Sequence, residues 1–512
     1  MTRWLRRPGA ALLIVLAVLA GGLGAATATT PDRQPETRAG PIATRPVAVA
    51  RAGAACPDPV VDEETTTEVA VAAPGPLVAP GVSDGPDPAE LAVPPGRLGL
   101  ELLAGGQVSG AQQQAPGAVT HDAMPDQGPL VARGVDGSAP GLAASQLTRS
   151  TAGTMRGLAG VSCSASSTDA WFVGSGAVVG ERGRVYLTNV EAAPAVVDVL
   201  LYGPDGPIDA PDARGVSVAP GEQQVRLLDA LAPGVERFAV HVHARQGRIA
   251  AAVRDLQVDG LTPLGADWVP VTSPPARRVV VAGLPGGAGE RRLQIVAPGG
   301  SDAIVRVRLI SASGAFAPAG LDVVEVPAGS VTDVDVAPFA GGEPVSVELS
   351  ADAPITAGVL TRLPGSPGEL GEIAYASAAV PLVPDAPGVV AQVSRGERVR
   401  STLLLTAPAG DATVQLTPLP PASGPGRRVT VPGASLLAVD LDVAGDGEGD
   451  VGSYALTVAP VRGSGPVLAV RLVEEAETRG PLLTSSPVEP GRYAVRVPRV
   501  AADLSAGLRA GP

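Results

Sequence analysis

The chain has no lysine: all 38 basic residues among its 512 are arginine. Set against 51 acidic residues they leave a formal net charge of −13, with no clustered basic stripe in the body of the sequence. An acidic surface repels a phosphate backbone, so nucleic acid is not an expected partner. The missing lysine, together with the excess of alanine, glycine, proline and valine, has the stamp of a GC-rich coding bias. It carries no mechanism.

Aromatic residues are also scarce, at 2%. With 45% hydrophobic residues a core is affordable, but Val, Leu, Ala and Ile must build it. β-Branched side chains fit a pleated strand surface better than a helix. The three tryptophans are Trp4, Trp171 and Trp268, too few for the aromatic platforms of a sugar-processing cleft. Trp171 and Trp268 read as core or joint packing. The carboxylates are scattered over strand edges and turns, and spacing alone leaves a glycosidase pair open.

Catalytic motifs are absent as well. There is no phosphate-binding loop and no dinucleotide fingerprint after a strand. Ser175 in "FVGSGA" is not in a G-x-S-x-G elbow and precedes no helical pattern. With three histidines in all, a Ser-His-Asp triad would need one of His121, His241 or His243. The sequence therefore predicts no catalytic residue and no cofactor.

What is present begins with the N-terminus. Arg3, Arg6 and Arg7 precede an unbroken apolar run, Ala10–Leu19, and Ala26-Thr27-Ala28 fits a small-x-small cleavage site. Residues 1–28 read as a cleaved signal peptide, or as a retained anchor that could just span a bilayer. Either way the remainder lies outside the cytoplasm, as a secreted or membrane-anchored envelope protein. Membrane contact comes only through this segment if it is uncleaved. Residues 29–55, rich in Pro, Ala and Arg without periodicity, read as a linker. The two cysteines, Cys56 and Cys163, are too few for a thiol metal site and are expected to pair as a disulfide. That bond would tie the N-terminal segment to the first clear repeat.

The main pattern is repetition. "VYLTNVEAAPAVVDVLLYGPDG" (185–206) returns as "LQIVAPGGSDAIVRVRLISASG" (293–314), 108 residues on, and as "LLLTAPAGDATVQLTPLPPASG" (403–424). Each reads as strand, turn, strand. The later elements keep step: "FAVHV" at 238–242, "VSVEL" at 345–349 and "YALTV" at 454–458. A worn fourth copy stands at the front, with "LAVPPGRLGLELLAG" (91–105) as its third-strand element and "GPLVARGV" (128–135) as its last. A period near 110 is too long for a solenoid repeat and fits a two-sheet antiparallel sandwich of about seven short strands. The expected fold is all-β: tandem immunoglobulin-like β-sandwich domains after the N-terminal signal or anchor. The boundaries fall at 56–160, 161–262, 263–368 and 369–508, the last with a C-terminal strand. "RYAVRVPRV" (492–500) resembles "RRVVVAGLP" (277–285), which points to strand exchange at domain joints. A single larger assembly with shared strands is the alternative.

Two further clusters carry metal-ligand residue types. His241 and His243 share one strand face, but Phe238, Val240 and Val242 hold the core positions, so the histidines are expected to face solvent, and two ligands without a third make no site. His121 is isolated in a turn-rich stretch. Asp446, Glu448 and Asp450 alternate in "DLDVAGDGEGDVG" (440–452), yet the required glycine and the bidentate Glu of a calcium loop are missing. It reads as a solvated hairpin loop. No metal site is assigned.

"GLAGVSCSASSTDAWFVG" (157–174), then "VYLTN" (185–189), "LLYGPDGPI" (200–208) and the closing "SPVEPGRYAVRVP" (486–498) resemble an uncharacterised family of exported actinobacterial proteins, a domain of unknown function. The resemblance runs from about Cys56 to Leu508. It implies export, a β-rich fold and a role at the cell envelope, and it implies no activity. The expected function is that of an exported, non-catalytic envelope protein with a structural or adhesive role, whose partner is an envelope component or another protein. The alternative is a surface protein that binds or processes carbohydrate.

Overall fold

A computed structural model of the chain describes residues 44–58, 65–77, 94–123, 128–422, 424, 426–441 and 453–498. The chain forms two compact units. The smaller takes residues 1–47 with 496–512 and holds all but the ends of one strand pair, Thr44–Ala48 with Ala494–Pro498. The larger spans Ala48–Val495 and holds four two-sheet β-sandwiches, numbered I to IV along the chain.

Sandwich I shows the plan. Its strands, in order, are Arg51–Cys56, Thr65–Ala73, Arg97–Leu102, Gln107–Gln113, Gly117–Ala123, Leu130–Val135, Ala143–Ser150 and Gly157–Ser162. The first, sixth, third and fourth form one sheet in that order; the fifth, second, seventh and eighth form the other. Sandwiches II, III and IV repeat this order, with small extra edge strands in II and III. The pairings of second with fifth and third with sixth strand are those of an immunoglobulin sandwich. The first strand, however, lies beside the sixth, where such a domain places its last. In sandwich III the sixth and seventh strands are one, Val345–Leu363, which leaves one sheet and enters the other; Pro354 lies between its two ladders.

Each sandwich has its own core. Alternation sets it: Phe238, Val240 and Val242 in II match Val345, Val347 and Leu349 in III and Tyr454, Leu456 and Val458 in IV, all buried. The repeated strand–turn–strand of the sequence is the second and third strands, whose connection crosses from one sheet to the other.

The sandwiches form a closed ring. Trp171, Val173 and Ala239 on the first sheet of II pack on Val296 and Val331 on the second sheet of III. Val280 and Ala282 of III pack in the same way on Leu404, Leu468 and Val470 of IV. Val389, Ala391 and Ala455 of IV then pack on Ala70 and Ala72 of I, and Ala159 and Val161 of I meet Tyr186, Ala252 and Trp268 of II. The first three are head-to-tail contacts, first sheet on the next module's second sheet, whereas the joint of I with II uses the second sheets of both; together the contacts close after four. The eighth strands, Gly157–Ser162, Thr262–Val269, Glu372–Ser377 and Leu482–Pro487, converge, each packed on the next around a complete circuit.

Several expectations change. The linker expected over 29–55 contains, in its described part, Thr44–Ala48 and most of the first strand of sandwich I. The boundaries at 262/263 and 368/369 cut off the eighth strands of II and III, because a repeat period fixes spacing but not phase. Leu130–Val135 is the sixth strand of sandwich I, not the counterpart of the last apolar run. Sandwich sheets draw strands from one sandwich each, so no strand is exchanged at a joint among the described residues; the closing "AVRVP" pairs instead with Thr44–Ala48. Cys56 and Cys163 are joined by a disulfide. It links the first strand of sandwich I to the residue just past its eighth, stapling that sandwich shut rather than tying it to sandwich II.

Candidate metal centre

The histidines sit on the sixth strand of sandwich II, Phe238–Gln246, between the first strand, Asp169–Ser175, and the third, Ala195–Gly203. Asp169 lies directly across from His243, and Trp171 across from His241. Asp169 is therefore diagonal to His241, within reach of a long side chain on the same face. Its Oδ1 lies 2.9 Å from His241 Nε2 and 3.0 Å from His243 Nδ1. The Trp171 ring stacks on His241 at 3.9 Å between centroids, nearly parallel.

The expectation that both histidines face solvent is corrected here. They do point away from the core of sandwich II, but that outer face is where sandwich III docks. The His241 side chain is only 13% exposed, against 43% for His243 and 51% for Asp169. The cluster straddles the rim of the joint: covered at Trp171, open at Asp169. Burial pushes the His241 ring below the usual histidine range, against the pull of Asp169. Burial also raises the Asp169 carboxyl, but hydrogen bonds from His243, His241 and Thr168 outweigh that and hold it below the usual range. Asp198, on the other side of His243, is committed: it accepts from Gly215 N at 2.7 Å and pairs with Arg245.

A second polar group lies inside the ring. On the converging eighth strands, Asp267 Oδ1 accepts from Trp268 N at 2.8 Å, Gly160 N at 3.1 Å and the Thr484 hydroxyl at 2.9 Å, drawing sandwiches I, II and IV together. Its burial pushes the carboxyl well above the usual range. Glu372 of sandwich III, likewise fully buried, accepts from Leu158 N and Ile373 N, and Arg156 donates to the carbonyls of Gly371 and Gly480. At the joint of II and III, the Tyr375 hydroxyl donates to Asp255, Gln257 bridges Asp255 to Arg362, and Arg362 and Arg237 both pair with Glu181.

A family model matches residues 111–442. The chain belongs to DUF5719, a family of unknown function. The match begins in the fourth strand of sandwich I and ends just past the fifth strand of sandwich IV, Ser435–Asp440. No curated protein matches this DUF5719 chain.

The residues singled out from sequence have different fates in the DUF5719 body. His241 and His243 are brought together, with Asp169 added. His121 lies apart, on the fifth strand of sandwich I. Ser175 is buried at the end of the first strand of II. Trp171 and Trp268 are both buried in joints. Asp446, Glu448 and Asp450 lie outside the described residues. Asp169 was missed, although aligning the first strands would have found it. Trp171 corresponds to Val280 of sandwich III, so Asp169 corresponds to Arg278, which pairs with Glu348 on the same diagonal. Asp255, Asp267, Glu372 and Tyr375 gave no local signal, because their burial arises only when the ring closes.

Proposed function

We propose that this DUF5719 chain is an exported, non-catalytic component of the actinobacterial cell envelope, where it holds or contacts a wall component or a partner protein. The observation that supports this best is the use to which buried polar groups are put. Asp267, Glu372, Arg156, Tyr375 and Glu181, the side chains an enzyme would gather around a cleft, instead join one sandwich to another. A ring locked in this way is a stiff scaffold. Its stapled cysteines suit an oxidising compartment, and Arg3, Arg6, Arg7 and Ala10–Leu19 supply the export signal. Sugar stacking is the weaker reading, since Trp171 and Trp268 are consumed by joints.

Fractionation of the native organism tests export. The chain should be found in the envelope or medium, beginning near Thr29 if the signal is removed. Full-length protein in the cytosol overturns the proposal. Pull-down from a crosslinked envelope fraction should then recover a wall polymer or protein bound to the intact chain.

A further inference from the structure

We infer that Asp169, His241 and His243 form a site for a zinc-type divalent transition metal on the outer face of sandwich II, beside its joint with sandwich III. Three side chains from two paired strands offer one ligand atom each, and the three atoms lie within 4.8 Å of one another. The strand register sets this geometry, and the packing of His241 against Trp171 holds it.

The corresponding position in sandwich III shows what distinguishes this cluster from ordinary surface pairing. There the sixth-strand residue is Glu348, with Arg278 on the diagonal of the first strand and Arg308 directly across on the third. Both arginines pair with the carboxylate, so cationic charge is built into the protein. In sandwich II the acid has moved to the first strand, and imidazoles take the sixth. No arginine pairs with Asp169 among the described residues; its ion-pair partners are His241 and His243. The Asp169 carboxylate therefore has no fixed guanidinium beside it among the described residues. A bound dication supplies the charge that arginines supply in sandwich III.

The donor set selects the ion. Two ring nitrogens and one carboxylate oxygen suit zinc and the late first-row divalent ions, whereas calcium and magnesium take oxygen ligands. The open side, at Asp169 and His243, leaves room for water to complete the coordination. A metal held by His241 Nε2 and His243 Nδ1 leaves the other nitrogen of each ring facing away from the ion. For His241 it is Nδ1, which is buried without a hydrogen-bond partner. Ligand histidines are normally supported by an acceptor at that second nitrogen, so the site should bind more weakly than a four-ligand structural zinc centre.

Calorimetric titration of chelator-treated full chain with zinc chloride at pH 7.5 tests the inference. One equivalent should bind. Asp169→Asn and His243→Ala should each weaken binding by roughly 10-fold or more, while His121→Ala leaves it unchanged. Both variants sit at the open rim, and thermal melting verifies that they fold. Copper(II) should also quench Trp171, which stacks on His241, and the quenching should vanish in Trp171→Phe. Absence of zinc binding, or binding that Asp169→Asn and His243→Ala leave intact, overturns the assignment. Neither result bears on export, which is read by fractionation alone.

Discussion

The centre of the ring can be tested with a single methyl group. At Gly160 an added Cβ would lie 2.8 Å from Thr484 Oγ1, 3.0 Å from its Cγ2 and 3.3 Å from Ser486 Oγ. The backbone there is not in the left-handed region, so alanine fits the local conformation. Stiffening the unfolded chain should even contribute about 0.4–1 kcal/mol of stability. Against this stand overpacking, about 1–3 kcal/mol, and the strain on the donation from Gly160 N to Asp267 and Thr484, about 1–3 kcal/mol if a buried partner is orphaned. Gly160→Ala should therefore destabilise by about 2–4 kcal/mol. Calorimetry separates two outcomes. If the ring melts as one body, its unfolding entropy is large and the midpoint falls by only about 1 °C per kcal/mol. If sandwich I melts alone, its own transition falls by roughly four times as much. The ring predicts the first. Thr484→Ala removes both nearest obstructions, at the cost of the hydrogen bond it donates to Asp267 and the one it accepts from Gly160 N. The double variant should then be more stable than the sum of the singles implies, by about 1–2 kcal/mol. Additive effects, or a Gly160→Ala protein within about 0.5 kcal/mol of the parent, would refute the convergence of the eighth strands.

Two other tests address buried groups. Asp267 has its folded-state pKa raised by burial, so the folded chain holds a proton that the unfolded chain has already lost. Its contribution is fully present below the unfolded pKa and declines as pH rises towards the folded value. Asp267→Asn keeps an oxygen for the three donors and cannot ionise; its stability relative to the parent should rise over that range, and a constant difference would contradict the assignment. Replacing Cys56 and Cys163 together with serine opens a loop of sequence separation 107. The chain-entropy model puts the loss near 4.7 kcal/mol, measured as a lower denaturant midpoint, and an unchanged midpoint would count against the staple.

The sequence carried the strand alternation of each module because that pattern is local: Phe238, Val240 and Val242 declare an inward face without reference to anything distant. It did not carry the phase of the repeat. Thr262–Val269 and Glu372–Ser377 belong to the modules before them only because each pairs with its own seventh strand. Nor did it reveal what covers the outer faces. His241 alternates with core residues and so reads as exposed, yet the next sandwich lies against it. Asp267 reads as an ordinary charge near the end of a strand, and only the meeting of the eighth strands encloses it. Local pattern describes a module; the chemistry of this chain lies between modules.

An open array of such modules can lengthen when its gene duplicates a unit, since the new copy offers the same two faces as the old. This chain cannot grow that way. The apolar face of sandwich IV is already covered by sandwich I, so a fifth copy would have to break that contact, and deletion of one would leave two apolar faces uncovered. The number of modules is therefore fixed by geometry, and variation among relatives should fall in loops and outer faces, where Glu348 and His241 already differ between two modules of this chain, rather than in the count.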